Sequence, residues 1–118
     1  MAQTVVITVS DRCAAGVVED RSGPLLAEAL VGAGHSVVSR VIPDGEVSVT
    51  GALREAIGEG ARLVVTTGGT GVAPRDRTPE GTRPVLDREL PGVAELIRAG
   101  GTAVSAHAAL SRGIVGVV

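Results

Sequence analysis

The sequence predicts a three-layer α/β/α domain with a mostly parallel sheet, on three observations. First, β-branched or apolar runs at Thr4–Val9, Ser36–Ile42 and Leu63–Thr67 alternate with segments of helical periodicity. Strand, helix, strand, helix, strand is the order of a right-handed parallel fold. Second, Leu63-Val64-Val65 is apolar without alternation, as expected of a strand covered on both faces. Third, each run gives way at its carboxyl end to a polar or glycine-rich turn, and open parallel sheets bind ligands at that edge.

Each element follows from its local pattern. Thr4–Val9 is β-branched at almost every position and ends at Ser10-Asp11-Arg12, where a loop begins. Ser22-Gly23-Pro24 opens a helix whose buried face is Leu26, Ala29, Leu30 and Ala33, and Gly34 ends it. Ser36–Ile42 closes in the turn Pro43-Asp44-Gly45. Ser48 caps the next helix, with Val49, Ala52, Leu53, Ala56 and Ile57 as its stripe, Arg54, Glu55 and Glu59 in water, and Gly60 as its stop. After Leu63–Thr67, Thr78-Pro79-Glu80 reads as an N-cap with proline at the first helical position, opening a helix to about residue 87. Leu90-Pro91-Gly92 breaks it. Val93, Ala94, Leu96 and Ile97 form a short helix ending at Gly100-Gly101. Thr102–Leu110 fits helix or extended chain, and Ile114–Val118 reads as a strand.

Composition removes several classes of function. One hundred and eighteen residues suit a single domain with one core. With no Phe, Tyr or Trp, the core must be filled by Val, Leu, Ile and Ala, and no platform exists for stacking single-stranded bases. A net charge of −2 offers no basic face, so nucleic acid is not an expected partner. No stretch reaches the roughly 20 apolar residues of a membrane span, no leader pattern opens the chain, and a cytoplasmic location is expected. Cys13, alone, can form no internal disulfide and reads as a small loop residue. His35 reads as surface structure, and neither it nor His107 has a second ligand at metal spacing.

The chemistry concentrates between Leu63 and Glu80. Gly68, Gly69 and Gly71 allow positive φ and close backbone approach, with N–H groups available to an anion. Thr66, Thr67, Thr70 and Thr78 add hydroxyls, and Arg75 and Arg77 flank the carboxylate of Asp76. A Walker A loop is excluded because all eleven basic residues are arginine, which also excludes Schiff-base chemistry. The dinucleotide fingerprint fails because Pro74 stands where its third glycine should pack. Ser10-Asp11-Arg12, Asp44 and this loop lie at the carboxyl ends of three strands and can converge on one pocket. Each also has a plain structural reading: Asp44 as a turn residue, Asp76 as a solvated ion pair, Ser10-Asp11 as an Asx turn.

Taken in order, Ser10-Asp11-Arg12 with Gly16, Ile42-Pro43-Asp44, Thr66-Thr67-Gly68-Gly69-Thr70-Gly71, Pro74-Arg75-Asp76, Thr78-Pro79-Glu80 and Asp87-Arg88-Glu89-Leu90-Pro91-Gly92 resemble the MoaB/Mog molybdopterin-binding proteins over essentially the whole chain. The resemblance implies a MoaB/Mog-like fold and one molybdopterin-binding domain over residues 1–118 that stops before the family's last strand, loop and helix. It implies a role in molybdenum cofactor biosynthesis: MgATP-dependent adenylylation of molybdopterin, with release of pyrophosphate. Asp44 and Asp76 match the family's essential pair and are expected to be catalytic and to hold Mg²⁺. Ser10, Asp11, Thr67, Gly68, Gly69, Thr70, Gly71, Arg75 and Thr78 are expected to bind molybdopterin and ATP. A homotrimer and a downstream molybdate-insertion protein are the implied partners. Two other readings stay open, a MoaB-type pterin carrier without transferase activity and a module that shares only the fold, as in competence-damage proteins.

Overall fold

The computed structural model describes residues 3–118, and its centre is the strand β1 (Gln3–Val9). β1 lies between β2 (Ser36–Ile42) and β3 (Leu63–Thr67), parallel to both, with Val5 in register with Val38 and Val64. The three predicted strands are therefore adjacent and parallel, with the expected bounds apart from Gln3. Helix α2 (Ser22–Gly32) covers one face and α3 (Glu46–Gly58) the other. This is the α/β sandwich that the alternating patterns predict.

Both faces of β1 are buried from Thr4 to Val9. Val5, Ile7 and Val9 pack with Val49, Ala52, Leu53 and Ala56 of α3 into the core, and the alternate residues point toward α2. There, Gly23 sits so close that a Cβ on it would lie 2.4 Å from Thr8 Oγ1. Both histidines lie outside any site, although His35 is half-buried, its Nδ1 2.9 Å from the hydroxyl of buried Thr4.

Several expectations are corrected. Leu63-Val64-Val65 is not covered on both faces: β3 is an edge strand, Leu63 is 38% exposed and Val64 and Val65 are half-buried. The fully enclosed strand is β1, because in a three-stranded sheet only the middle strand has neighbours on both sides. The stripe of α2 reduces to Leu26 and Leu30, half-buried, with Ala29 and Ala33 exposed. Ser48 is no cap; its hydroxyl donates to the Pro43 carbonyl at 2.7 Å, and α3 starts two residues earlier, after Gly45 at φ +122°. A four-residue helix α1 (Asp11–Ala14) occupies the expected loop, capped by Ser10 Oγ accepting from the Cys13 N–H.

The chain after β3 also differs from the pattern. Helix α4 is short (Thr78–Thr82) and tightens into a 3₁₀ turn at Arg83–Val85 instead of continuing to residue 87, because Pro84 cannot donate to the helix. Arg88–Glu89 (β4) then pairs antiparallel with Gly116–Val117 (β5), so the expected strand at Ile114–Val118 shrinks to a two-residue ladder. Pro91 opens α5 (Pro91–Thr102), which runs through both glycines, and Ala106–Leu110 is a 3₁₀ helix capped by Ser105. Ala94 of α5 is buried, but Leu96 and Ile97 are 74% and 63% exposed. No helix among the described residues is long and apolar enough to cross a membrane.

Ile7 is fully enclosed at the middle of the core. Ile7→Ala should therefore lower stability by about 2–5 kcal/mol in denaturant unfolding. Val47→Ala, at an 88% exposed position on α3, should stay within about 0.5 kcal/mol. Equal small changes in both would contradict the placement of the core.

Candidate functional site

The loop that follows β3 crosses the carboxyl end of β1 at contact distance. A Cβ on Gly68, which has φ +98°, would lie 2.2 Å from the Val9 carbonyl oxygen. At Gly69, with φ +68°, it would lie 2.2 Å from Thr78 Oγ1 and 3.1 Å from Asp44 Oδ1. Only glycine meets both demands, the backbone sign and the space. Gly71 is needed for a third reason: its Cβ would come 2.7 Å from Asp76 Oδ2. The glycines thus admit Asp44 and Asp76 to the two ends of the same loop.

The loop's own polar groups divide into those that are tied and those that are not. Thr78 donates its hydroxyl to the Gly68 carbonyl (2.9 Å) and its N–H to the Gly69 carbonyl (3.0 Å). Its side chain is therefore not the cap of α4; the nearer carbonyl takes the hydroxyl, and Arg77 occupies the cap position without a side-chain bond. Asp76 Oδ2 accepts from the Ala73 N–H at 3.0 Å. The N–H groups of Gly69, Thr70, Gly71 and Val72 donate to no acceptor among the described residues. Consecutive free backbone donors in a glycine turn form a receptacle for an anion.

On the Asp44 side, two carboxylates brace each other through the backbone. Asp11 N–H donates to Asp44 Oδ2 at 2.9 Å, and Asp44 N–H donates to Asp11 Oδ1 at 3.1 Å. Arg75 grips Asp11 with Nε and Nη2 (3.0 and 3.1 Å) and also donates to the Asp44 carbonyl. This hydrogen bond from Arg75 is the main cause that holds the Asp11 carboxyl below the usual carboxylate range, aided by the Asp44 contact and opposed by desolvation. Asp11 and Arg75 are consequently occupied with each other, and their geometry supports the position of Asp44. Arg77 likewise pairs with Glu46 at the start of α3.

Of the residues singled out in the sequence, Asp11, Asp44, Gly68, Gly69, Gly71, Arg75, Asp76 and Thr78 meet in one connected network. Ser10 serves as the cap of α1, Thr67 ends β3 in register with Thr8, and Thr70 is bonded through its carbonyl to the Arg112 N–H at 2.8 Å. Pattern reading missed Arg112 and Ser111 and took Glu80 only as part of a helix start. One signal was available: Arg112 is the only formally charged residue after Arg98. A cavity of about 450 Å³ lies behind it, lined by Arg83, Glu89, Arg98 and Ser111 among others, and contains none of the predicted residues. Its arginines already face a carboxylate or carbonyl groups, so the loop with its free donors is the better ligand site.

No group of three or more His, Cys, Asp or Glu among the described residues could hold a metal ion unaided. Hydrogen bonds engage Oδ2 of Asp44 and of Asp76 but not Oδ1 of either. Each carboxylate therefore keeps one oxygen that a hard cation with water and phosphate ligands could take. Fold and site together define an α/β domain that presents a glycine loop with free N–H donors between two carboxylates.

Comparison with known proteins gives that class its family. Residues 5–117 match the family described as "Probable molybdopterin binding domain", and the chain belongs to these MoaB/Mog molybdopterin-binding proteins. It is 50% identical over 94 residues to the molybdopterin adenylyltransferase of Pyrococcus furiosus, covering 80% of this chain and 55% of that protein. The Mog molybdopterin biosynthesis protein of Mycobacterium ulcerans superposes with a TM-score of 0.92 at 41% identity, over 100% of this chain and 78% of that one. MoaB of Thermus thermophilus superposes with a TM-score of 0.89 at 44% identity, over 99% and 75%. The chain spans about half the length of the curated adenylyltransferases it matches.

Gly69→Ala should cost about 1–3 kcal/mol, from strain at positive φ and from the Thr78 contact, whereas Gly51→Ala, in open space on α3, should gain about 0.5–1 kcal/mol. Thermal unfolding of both variants checks the pair. Acid should act through Asp11 and Glu80, whose carboxyls are both held low, Glu80 chiefly by its hydrogen bond from Arg112. A depressed folded-state pKa adds stability that is present above the unfolded value and lost as pH falls through the folded one. The loss attributable to this pair therefore begins as pH falls below about 5, and Asp11→Asn with Glu80→Gln should flatten the stability profile there.

Proposed function

We propose that this chain is a Mog-type molybdopterin adenylyltransferase of molybdenum cofactor biosynthesis. The observation that carries the reading is the set of free N–H groups from Gly69 to Val72, flanked by Asp44 and Asp76. The name molybdopterin adenylyltransferase, printed for relatives at 41–50% identity, supports molybdopterin as the acceptor, with ATP as the adenylyl donor. The terminal phosphate of molybdopterin attacks the α-phosphorus of ATP; a new P–O bond forms, the bond to the bridging oxygen breaks, and pyrophosphate leaves with its electron pair. Mg²⁺ carried by ATP would neutralise phosphate charge, with Asp44 and Asp76 as the residues to hold it.

The chain's own contribution is positioning and charge complementarity. The loop donors orient phosphate oxygens. The Asp11–Arg75 pair fixes Asp44, and Gly71 admits Asp76. No side chain needs to move a proton, since the attacking group is an anionic phosphate. The same reading carries a single molybdopterin-binding domain, a homotrimer, a cytoplasmic location and delivery of the product to a molybdate-insertion protein. One rival stays, a MoaB-type pterin-binding protein without transfer.

Asp44→Asn and Asp76→Asn preserve shape and remove charge, so each should slow AMP transfer to molybdopterin by about 10²–10³-fold, roughly 2.7–4 kcal/mol of barrier, with unfolding nearly unchanged. Glu55→Gln on the exposed side of α3 is the control. If both aspartate variants release pyrophosphate at the parental rate, the pair is not catalytic. If the parent binds molybdopterin and transfers nothing, the carrier reading holds.

A further inference from the structure

Arg112 lies far from the loop in sequence, yet three of its nitrogens donate to loop carbonyls. Its N–H bonds the Thr70 carbonyl (2.8 Å), Nε the Gly71 carbonyl (2.8 Å) and Nη2 the Asp76 carbonyl (2.7 Å). The guanidinium also forks onto Glu80, with Nη1 2.6 Å and Nη2 3.3 Å from the two carboxylate oxygens. Ser111 Oγ adds a long contact to Thr70 Oγ1 at 3.5 Å. Arg112 is half-buried, and Glu80 anchors it at the first turn of α4.

These contacts fall within the run of free donors and beyond its end. Thr70 and Gly71 lie within the anion-binding turn, and Asp76 is the carboxylate at its far end. From this geometry we propose that Arg112 is a positioning residue: it clamps the carbonyls of Gly71 and Asp76 in one plane, and so sets where the loop N–H groups and the Asp76 carboxylate stand relative to each other. A planar guanidinium is the only side chain that can satisfy two carbonyls and a carboxylate at once; a lysine ammonium of similar reach cannot span them. The inference rests on the adenylyl-transfer reading for what the loop does, but not for how it is held.

The clearest experiment is Arg112→Lys, read by amide hydrogen exchange and by AMP transfer. The Ala73 and Asp76 amides, which bond Asp76 Oδ2 and the Ala73 carbonyl, should exchange about tenfold faster or more, with the amides of Val5 to Val9 unchanged. Transfer should fall about 10²-fold, as expected for a misplaced catalytic group. In the Asp76→Asn background, the same change should cost under about threefold, because Arg112 then has no carboxylate left to place. Unchanged exchange at Ala73 and Asp76 overturns the proposal. So does faster exchange throughout β1, which would make Arg112 a support of the whole fold, and so does full additivity with Asp76→Asn. If the exchange pattern holds and the parent transfers no AMP, the clamp stands and the transferase reading fails.

Discussion

The close approach of the Gly68–Gly69 backbone to the end of β1 is the constraint on which the site depends. The chain leaves β3 and must cross the Val9 carbonyl with no room for a Cβ, and it does so with two successive residues at positive φ. That crossing turns the backbone so that the next N–H groups find no partner among the described residues. It also lets Asp44, from the end of β2, reach the loop from one side while Thr78 closes it from the other. The sheet contributes rigidity: β1 is enclosed on both faces, so the Val9 carbonyl is a fixed wall rather than a mobile neighbour.

Around this crossing the chain uses arginine in one consistent way. Arg75 ties the loop to Asp11 and Asp44, Arg77 ties its end to Glu46 of α3, and Arg112 ties it to Glu80. The Arg75 and Arg77 pairs are largely exposed and contribute little to global stability, whereas the Arg112–Glu80 pair is half-buried. Their effect is local order. A fork with fixed geometry holds two backbone segments in register, which a flexible ammonium does poorly, and the absence of lysine from the chain is consistent with that use.

How far the fold was legible depends on the range of the interactions. β1, β2 and β3 and their parallel order could be read because period-two and period-3.6 patterns are local. So could the loop, since glycine, threonine and aspartate there announce their chemistry in consecutive residues. The four-residue α1 left no periodicity to detect. Thr78 misled because a hydroxyl next to Pro79 fits a cap, and only the folded backbone offers it the Gly68 carbonyl instead. Arg112 was invisible for a related reason: its side-chain partners lie 32 to 41 positions away, and nothing local distinguishes it except its isolation as a charge. The apolar residues of α5 show the converse, a legible amphipathic pattern of which Ala94 is buried while Leu96 and Ile97 stay exposed.

The central claim is that the ligand's phosphates sit in the turn between Asp44 and Asp76. Amide NMR of the isotopically labelled protein, titrated with molybdopterin and a non-hydrolysable ATP analogue in Mg²⁺, tests it most directly. The account predicts the largest shifts at Gly69, Thr70, Gly71 and Val72, with smaller ones at Asp11, Asp44 and Asp76. Shifts centred instead on α5 or on the cavity behind Arg112, with the glycine turn unmoved, would contradict it.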